Sequence, residues 1–462
     1  MIPKLLVGIA IAAFATGIAL AMTKPWIEDV PELKTADFAR EMNELIGAPK
    51  DAPDLAAFSA LATKLRKANH EREMKFVEAF EAAHASESDG SRPPSAYNHP
   101  DFPTNAVMYI HEHPPRGVPA VRVHLADLEA HADLKQLQSL LAATPLPPRA
   151  WQDEPSVMEQ LTARTISGAT NYVTIRQLSA ASRLAQLDGN ITASLDPLDC
   201  ILTLSKAAEK ESLLVSFMVS RSHQQRVIDA IRLMALERTL DAPALDRAEA
   251  MLASIAHDDA SWKKLTHQIV AAERLFGLAT MREWLEEKKL NTKVNRRKVA
   301  DATDAMHRQF IDEMLGTSTA TAEDFDILAY ISKIASEEEQ SVEEILDGSR
   351  GMMLGMARTL HNSRAYLAAV RYLVAIEHFR LKHGKILATL DEIDASHFRA
   401  PHPARGTLTY RPDAASGMYT LYIFGSDGKD NGGKGRAAMI TSIDEDCVLT
   451  EPRASKPADD ND

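Results

Sequence analysis

The sequence predicts a mainly α-helical protein that closes, near its C-terminus, on a small antiparallel sheet. Three observations predict it. Apolar residues recur at helical spacing along most of the 462 residues. Clusters of glycine and proline cut that pattern into pieces of helix length. After Gly384 the period shifts from 3.6 towards 2.

The first element is an apolar run. Between Lys4 and Lys24 no charged residue occurs, so Leu5 to Met22 reads as a signal or anchor helix. As a helix it would span ~27 Å, enough to reach across a hydrocarbon core. Lys4 precedes the run and Glu28, Asp29 and Glu32 follow it, so the positive-inside bias puts the rest of the chain outside the cytoplasm. Ala19-Leu20-Ala21 also fits a small-x-small cleavage pattern, and secretion after cleavage near Ala21 is the alternative to a retained anchor. Residues 1–23 form this segment.

Helical pattern begins at Thr35 and carries Phe38, Met42, Leu45 and Ile46 on one face until Gly47 and Pro49 end it. A second helix is expected from about Asp54 to His84, with Leu55, Phe58, Leu61 and Leu65 on one stripe and Phe76, Val77 and Phe80 on another. Residues 85–119 hold seven prolines and read as an ordered excursion containing a short strand, "NAVMYIHEH". Helix resumes from Val121 to Ala143, and "TPLPPRAWQDEP" breaks it. Together 24–150 make an N-terminal helical region.

A body of stacked helical hairpins is expected over 151–347. From Ser156 to Leu290 the period is helical, interrupted at "LDGN", "LDAPA" and "AHDDAS", and Asp188-Gly189 between two helices of similar size is a helical-hairpin signature. Leu184, Ala185, Gly189, Leu195 and Leu198 are spaced somewhat as in a tetratricopeptide repeat, but the period does not recur cleanly. A further helix pair covers about 295–347. A long helix from Met352 to His383 follows, and Gly384 ends it. Two strands, about Leu408–Arg411 and Met418–Phe424, flank a turn at Asp413 to Gly417. A C-terminal α+β module of long helix plus sheet thus occupies 348–450, and 451–462 reads as a disordered tail.

Composition narrows the function classes. Apolar residues at 45% and charged residues at 25% are ordinary for a globular chain. A formal net charge of −13 disfavours nonspecific attachment to nucleic acid or anionic lipid. The basic run Lys288, Lys289, Lys293, Arg296, Arg297, Lys298 reads as a solvated helix face. Cys200 and Cys447 are too far apart in sequence to form a metal knuckle, and as core thiols they need no partner.

No residue set identifies a reaction, and the chain is read as a non-enzyme. His111 and His113 would share a strand face and could ligate a metal with His124 or His131, which makes a metal-dependent hydrolase the alternative. No His-Glu-x-x-His spacing supports it. Ser261-Trp-Lys-Lys264 fits a Ser-x-x-Lys pattern without that chemistry's other elements.

One resemblance enters at the C-terminus. "HGK" with Leu390 to Ile393 ("LDEI"), Ala400 to Arg411 ("APHPARGTLTYR") and Met418 to Gly433 ("MYTLYIFGSDGKDNGG") stand in order. Together, over about 70 residues, they resemble the globular domain of the type II secretion major pseudopilins, and the pseudopilin-like tails of some larger bacterial envelope proteins. Ile386 and Leu387 stand where that family usually has Tyr-Pro, and His402 where it has aspartate. The apolar segment is not adjacent to this module, lacks a pilin-type cleavage site and has no acidic residue near its start. Assembly as a pseudopilus subunit is therefore not expected.

The resemblance implies calcium in the loop after the last long strand, at Asp427 and Asp430 with Asn431 assisting. Hard cations need several oxygens, and a glycine-rich loop can turn carbonyls inward. A turn whose Asp and Asn bond their own backbone would look the same in sequence. The expected protein is a membrane-tethered scaffold or binding protein of the bacterial inner membrane, single-pass and mostly periplasmic, with an unidentified protein partner and no nucleic acid. An accessory subunit of a secretion or pilus-like machine is the further alternative.

Overall fold

The computed structural model describes residues 35–48, 56–84, 119, 121–123, 125–126, 133–143, 146, 150–154, 156–288, 296–315, 342–393, 408–413, 416–424, 429–433 and 446–450. The expected apolar run Leu5 to Met22, the strand around His111 and His113, His124, His131, Asp427 and the tail 451–462 lie outside the described residues.

The chain is mainly helical with a small antiparallel sheet near its C-terminus. Among the described residues the helices are α1 (Thr35–Ile46), α2 (Ala56–His84), α3 (Asp133–Ala143), α4 (Val157–Leu187), α5 (Ile191–Glu209), α6 (Leu214–Leu236), α7 (Ala242–Ala253), α8 (Asp259–Lys288), α9 (Arg296–Leu315) and α10 (Val342–His383). A 3-10 turn, Leu390–Glu392, precedes β1 (Leu408–Asp413), β2 (Met418–Ile423) and β3 (Cys447–Val448).

Local chemistry sets the helix ends. A capping box opens α4: the Glu159 amide donates to Ser156 Oγ at 3.3 Å and the Ser156 amide to Glu159 Oε2 at 3.2 Å. Gly189, at φ +77°, turns the chain back, and Asn190 accepts from the Ala193 amide to start α5. Asp241 caps α7 in the same way through the Ala244 amide at 2.9 Å. Gly384, at φ +67°, terminates α10, whose last turn carries Arg380, Lys382 and His383 at the negative end of the helix dipole.

Helices α4, α5 and α6 pack on one another, α10 lies along α6 and α7, and α8 lies against α1 and α9. One apolar core runs from Phe58 and Leu65 of α2 through Ile201, Ile231 and Val370 to Leu421 and Leu449 of the sheet. A second cluster joins Phe38 and Met42 of α1 to Trp151, Leu161, Leu213 and Phe276. Phe38 meets the Trp151 ring edge-on at 4.9 Å.

The sheet has the order β1-β2-β3, all antiparallel. Tyr410 pairs with Leu421, and Tyr422 with Val448. Its turn uses Gly417 at φ +68°, whose amide donates to Asp413 O at 2.9 Å. Leu421 and Ile423 face the helical core, so the sheet covers the end of the helical layer.

Candidate functional site: the sheet junction and the arginine cluster

Long polar side chains fix the sheet to the helices. Glu377 of α10 is 3% exposed and accepts from the Tyr419 hydroxyl at 2.8 Å and from Arg380 Nε at 2.6 Å. Burial, and then the Glu377 charge, push the Tyr419 hydroxyl far above its ordinary range. Arg238 follows α6 at φ +55°, and Nη2 donates to Gly417 O at 3.1 Å. Deeper in, buried Arg232 of α6 donates from Nη1 to Leu449 O at 2.5 Å. The Tyr366 hydroxyl of α10 donates to Asp229 Oδ1 of α6 at 2.8 Å. A charged residue reaching a backbone carbonyl across the core fixes position more strictly than apolar packing does.

The expected calcium residues sit on the outer side of this junction. Asp430 Oδ1 accepts from the Tyr422 hydroxyl at 2.9 Å and from the Gly432 amide at 2.8 Å, while Arg411 approaches Oδ2 at 3.2 Å. The Gly432 amide, with Tyr422 and Arg411, holds the Asp430 carboxyl below the usual carboxylate range. The Arg411 guanidinium also lies 5.1 Å from the Tyr422 ring centre. Asn431 is half-buried beside it. Asp446 comes back from the far side of the loop: Oδ2 accepts from the Gly433 amide at 2.8 Å, and Oδ1 is buried with no hydrogen-bond partner. Consecutive amides, of Gly432 and Gly433, thus serve two different carboxylates. Among the described residues no group of three or more His, Cys, Asp or Glu stands ready to hold a metal ion.

A second polar assembly lies between α5, α6, α8 and α10. Trp262 of α8 has Arg221 at 5.4 Å and Arg364 at 4.7 Å from its ring centre, and Nε1 donates to Met314 O at 2.5 Å. Arg221 donates to Gln224 Oε1 at 2.7 Å, and Gln224 donates to Glu209 Oε2 at 3.1 Å. Glu209 also meets His257 Nε2 at 3.0 Å. Arg364 donates to His257 O at 3.1 Å and to Asp259 Oδ1 at 3.0 Å. Burial lowers the Arg221 guanidinium to about 10. At Glu209 burial works upward but is outweighed by His257 and Arg221, which hold the carboxyl low. Arg221, Gln224, Glu209, His257, Arg364 and Asp259 thus bond to one another in sequence around Trp262, as a structural network.

Ser261 and Lys264, the Ser-x-x-Lys pair, are both exposed at the start of α8. The Ser261 amide donates to Asp258 Oδ1 at 2.7 Å, so this serine belongs to a helix cap. Both cysteines are buried and form no disulfide. Cys200 Sγ lies 3.8 Å from Gln138 O of α3, whereas Cys447 is in β3. Burial above all raises the thiols to about 11 and about 12, which leaves both unreactive at neutral pH.

Sequence reasoning missed Arg221, Arg232, Glu377 and Asp446 as internal ties. One signal was present. Arg221, Gln224, Ile228 and Arg232 recur on the buried face of α6, where charged residues interrupt an apolar stripe. Among the described residues no helix is long and apolar enough to cross a membrane. No protein family, curated protein or solved structure matches this chain.

Proposed function

We propose that this chain is a non-enzymatic scaffold or binding protein, tethered to the bacterial inner membrane through Leu5 to Met22, with its helical body and a pseudopilin-like C-terminal module on the periplasmic side. The observation that carries the reading is the build of the C-terminal module. A 42-residue helix, α10, feeds an antiparallel sheet, and Glu377, Arg232 and Arg238 tie that sheet to the body. Such a module presents a fixed surface on a rigid support, as a docking element requires. An alkaline phosphatase fused after residue 460 tests the topology. Phosphatase activity in intact cells is expected, and activity confined to a cytosolic reporter at the same place would overturn the reading.

Calcium belongs to the same proposal. Asp430, Asn431 and Asp427 would supply ligands, and Asp446, whose Oδ1 is buried and unpartnered, would add a carboxylate from beside Gly433. An orphaned buried carboxylate oxygen next to a glycine-rich loop is the arrangement that a hard cation would complete. Isothermal titration of the full chain with calcium, against magnesium, is the test. Binding that is weakened at least tenfold by Asp446→Asn and by Asp430→Asn is expected. Equal heats for both ions, untouched by either change, would leave the loop an ordinary turn.

A further inference from the structure

Helix α6 starts without a cap of its own, since Leu213 offers no side-chain hydrogen bond to the first turn. The first free amide, of Leu214, donates instead to Glu273 Oε1 at 2.6 Å, a residue in the middle of α8. Glu273 is only 2% exposed, and its second oxygen, Oε2, is buried with no hydrogen-bond partner. Ala272 and Phe276 beside it on α8, and Leu213 at the corner it caps, belong to the apolar cluster with Phe38 and Trp151.

Two effects oppose at this carboxyl. The dipole of α6 favours a negative charge at its N-terminus. Removal from water with one oxygen unpaired disfavours that charge more strongly, because no cation answers it. Several charged groups on the neighbouring elements have other partners, and buried His223 of α6 is held neutral. On α4, Arg164 is 3.2 Å from Glu211, and on α1 Arg40 is 2.8 Å from Asp37. On α6, Arg221 bonds Gln224. His307 and Glu313 of α9 are engaged in interactions of their own, and Arg274 of α8 is exposed. None forms a hydrogen bond or ion pair with Glu273.

We propose that Glu273 is a proton-operated joint between α8 and α6: uncharged, it seals the corner where α6 begins, and its ionisation loosens the cluster formed by α1, α6 and α8. Burial pushes the carboxyl up to about 8, against the opposing pull of the Leu214 hydrogen bond. In the unfolded chain the same group titrates near its ordinary 4.5. The folded state therefore binds the extra proton between those values. Its contribution to stability is full below about 4.5, declines as pH rises to about 8, and stays constant above.

Hydrogen exchange on the full chain in detergent, followed by mass spectrometry between pH 6 and pH 9, tests the joint. After correction for the intrinsic base-catalysed rate, exchange in the peptide that spans Leu214 to Phe217 should speed up about a hundredfold from the bottom to the top of that range. A peptide from α7, away from the joint, should stay level. Glu273→Gln keeps an acceptor for the Leu214 amide but cannot ionise, so its profile should be flat. Matching profiles in wild type and Glu273→Gln would overturn the proposal. Should that variant fail to fold, the wild-type profile decides alone: no rise over the α7 peptide sinks it.

Discussion

Single side chains set the acid limb of this protein's stability and the shape of its C-terminal loop. His223 lies inside α6, 2% exposed, with Nδ1 lacking a hydrogen-bond partner. Burial, and then the charge of Arg226, push the imidazole down to about 3 from an ordinary 6.5. The unfolded chain takes up a proton in that window and the folded chain refuses it, so stability falls as pH drops from 6.5 towards about 3. Urea midpoints should decline with acid in the wild type and less steeply in His223→Gln; equal slopes would show that His223 is not held neutral. Gly433 makes the same kind of point sterically. At φ +72°, with the Tyr422 ring 3.1 Å from where a Cβ would stand, only glycine fits. Gly433→Ala should cost about 1–3 kcal/mol, measured by denaturant unfolding. Neither effect could be read from the sequence. A histidine on a helix or a glycine beside an aspartate has many common settings, and only the neighbours brought in by folding choose between them.

At the scale of elements much was legible, and the rest failed for physical reasons. The Asp188-Gly189 break, the α7 start after Asp241, the stop at Gly384 and the paired strands β1 and β2 all lie within a few residues of where turn chemistry put them. The break between α5 and α6 was not visible, because "KESLL" contains neither glycine nor proline and the turn is made by Ser212 at φ +56°. β3 was missed because its two residues are too few for a period, and it is held by pairing with β2 and by Arg232. Of the expected calcium residues the sequence located the loop, but it could not show that Asp430 would be engaged by Tyr422 and Arg411. Helix ends carry a prediction of their own. Glu237 sits at the C-terminus of α6, the wrong end of a dipole for an anion, and Arg183 of α4 offsets it with a two-pronged contact at 2.6 and 2.7 Å. Arg183→Met should lower stability by about 2 kcal/mol, reduced from the fully buried case because Glu237 is partly exposed. Glu237→Gln on that background should restore part of the loss in a double-mutant cycle; strict additivity would show that the pair is not coupled.

For the molecule as a whole the question is whether sheet and helices are one folding unit. The sequence predicted a C-terminal module over 348–450. The apolar core passes from α2 through α5, α6 and α10 into β2 and to Leu449. Val448 and Leu449 are fully buried, and a fully buried large apolar side chain is worth about 1.5–3 kcal/mol. The sheet, whose β3 spans only two residues, is too small to fold alone, and it gains its stability by covering the ends of α6 and α10. Two native side chains report on the two parts. Trp262 fluorescence follows the helical body, where its indole is buried between Arg221 and Arg364. The thiol of Cys447 follows the sheet, since it is buried and reacts only when β3 opens. In urea, brief maleimide labelling of Cys447 and the Trp262 signal should change at the same concentration, with equal slopes. Cys200→Ser removes the competing thiol, and Trp26→Phe, Trp151→Phe and Trp284→Phe together remove the three competing indoles; the thiol and indole changes are made in separate proteins, so that neither measurement depends on the other's substitutions. Labelling of Cys447 well before the fluorescence change would mean that the sheet detaches as its own unit. Arg232→Met should then widen that gap, because Arg232 is the tie from α6 to Leu449 O; in a single cooperative unit it lowers both midpoints together.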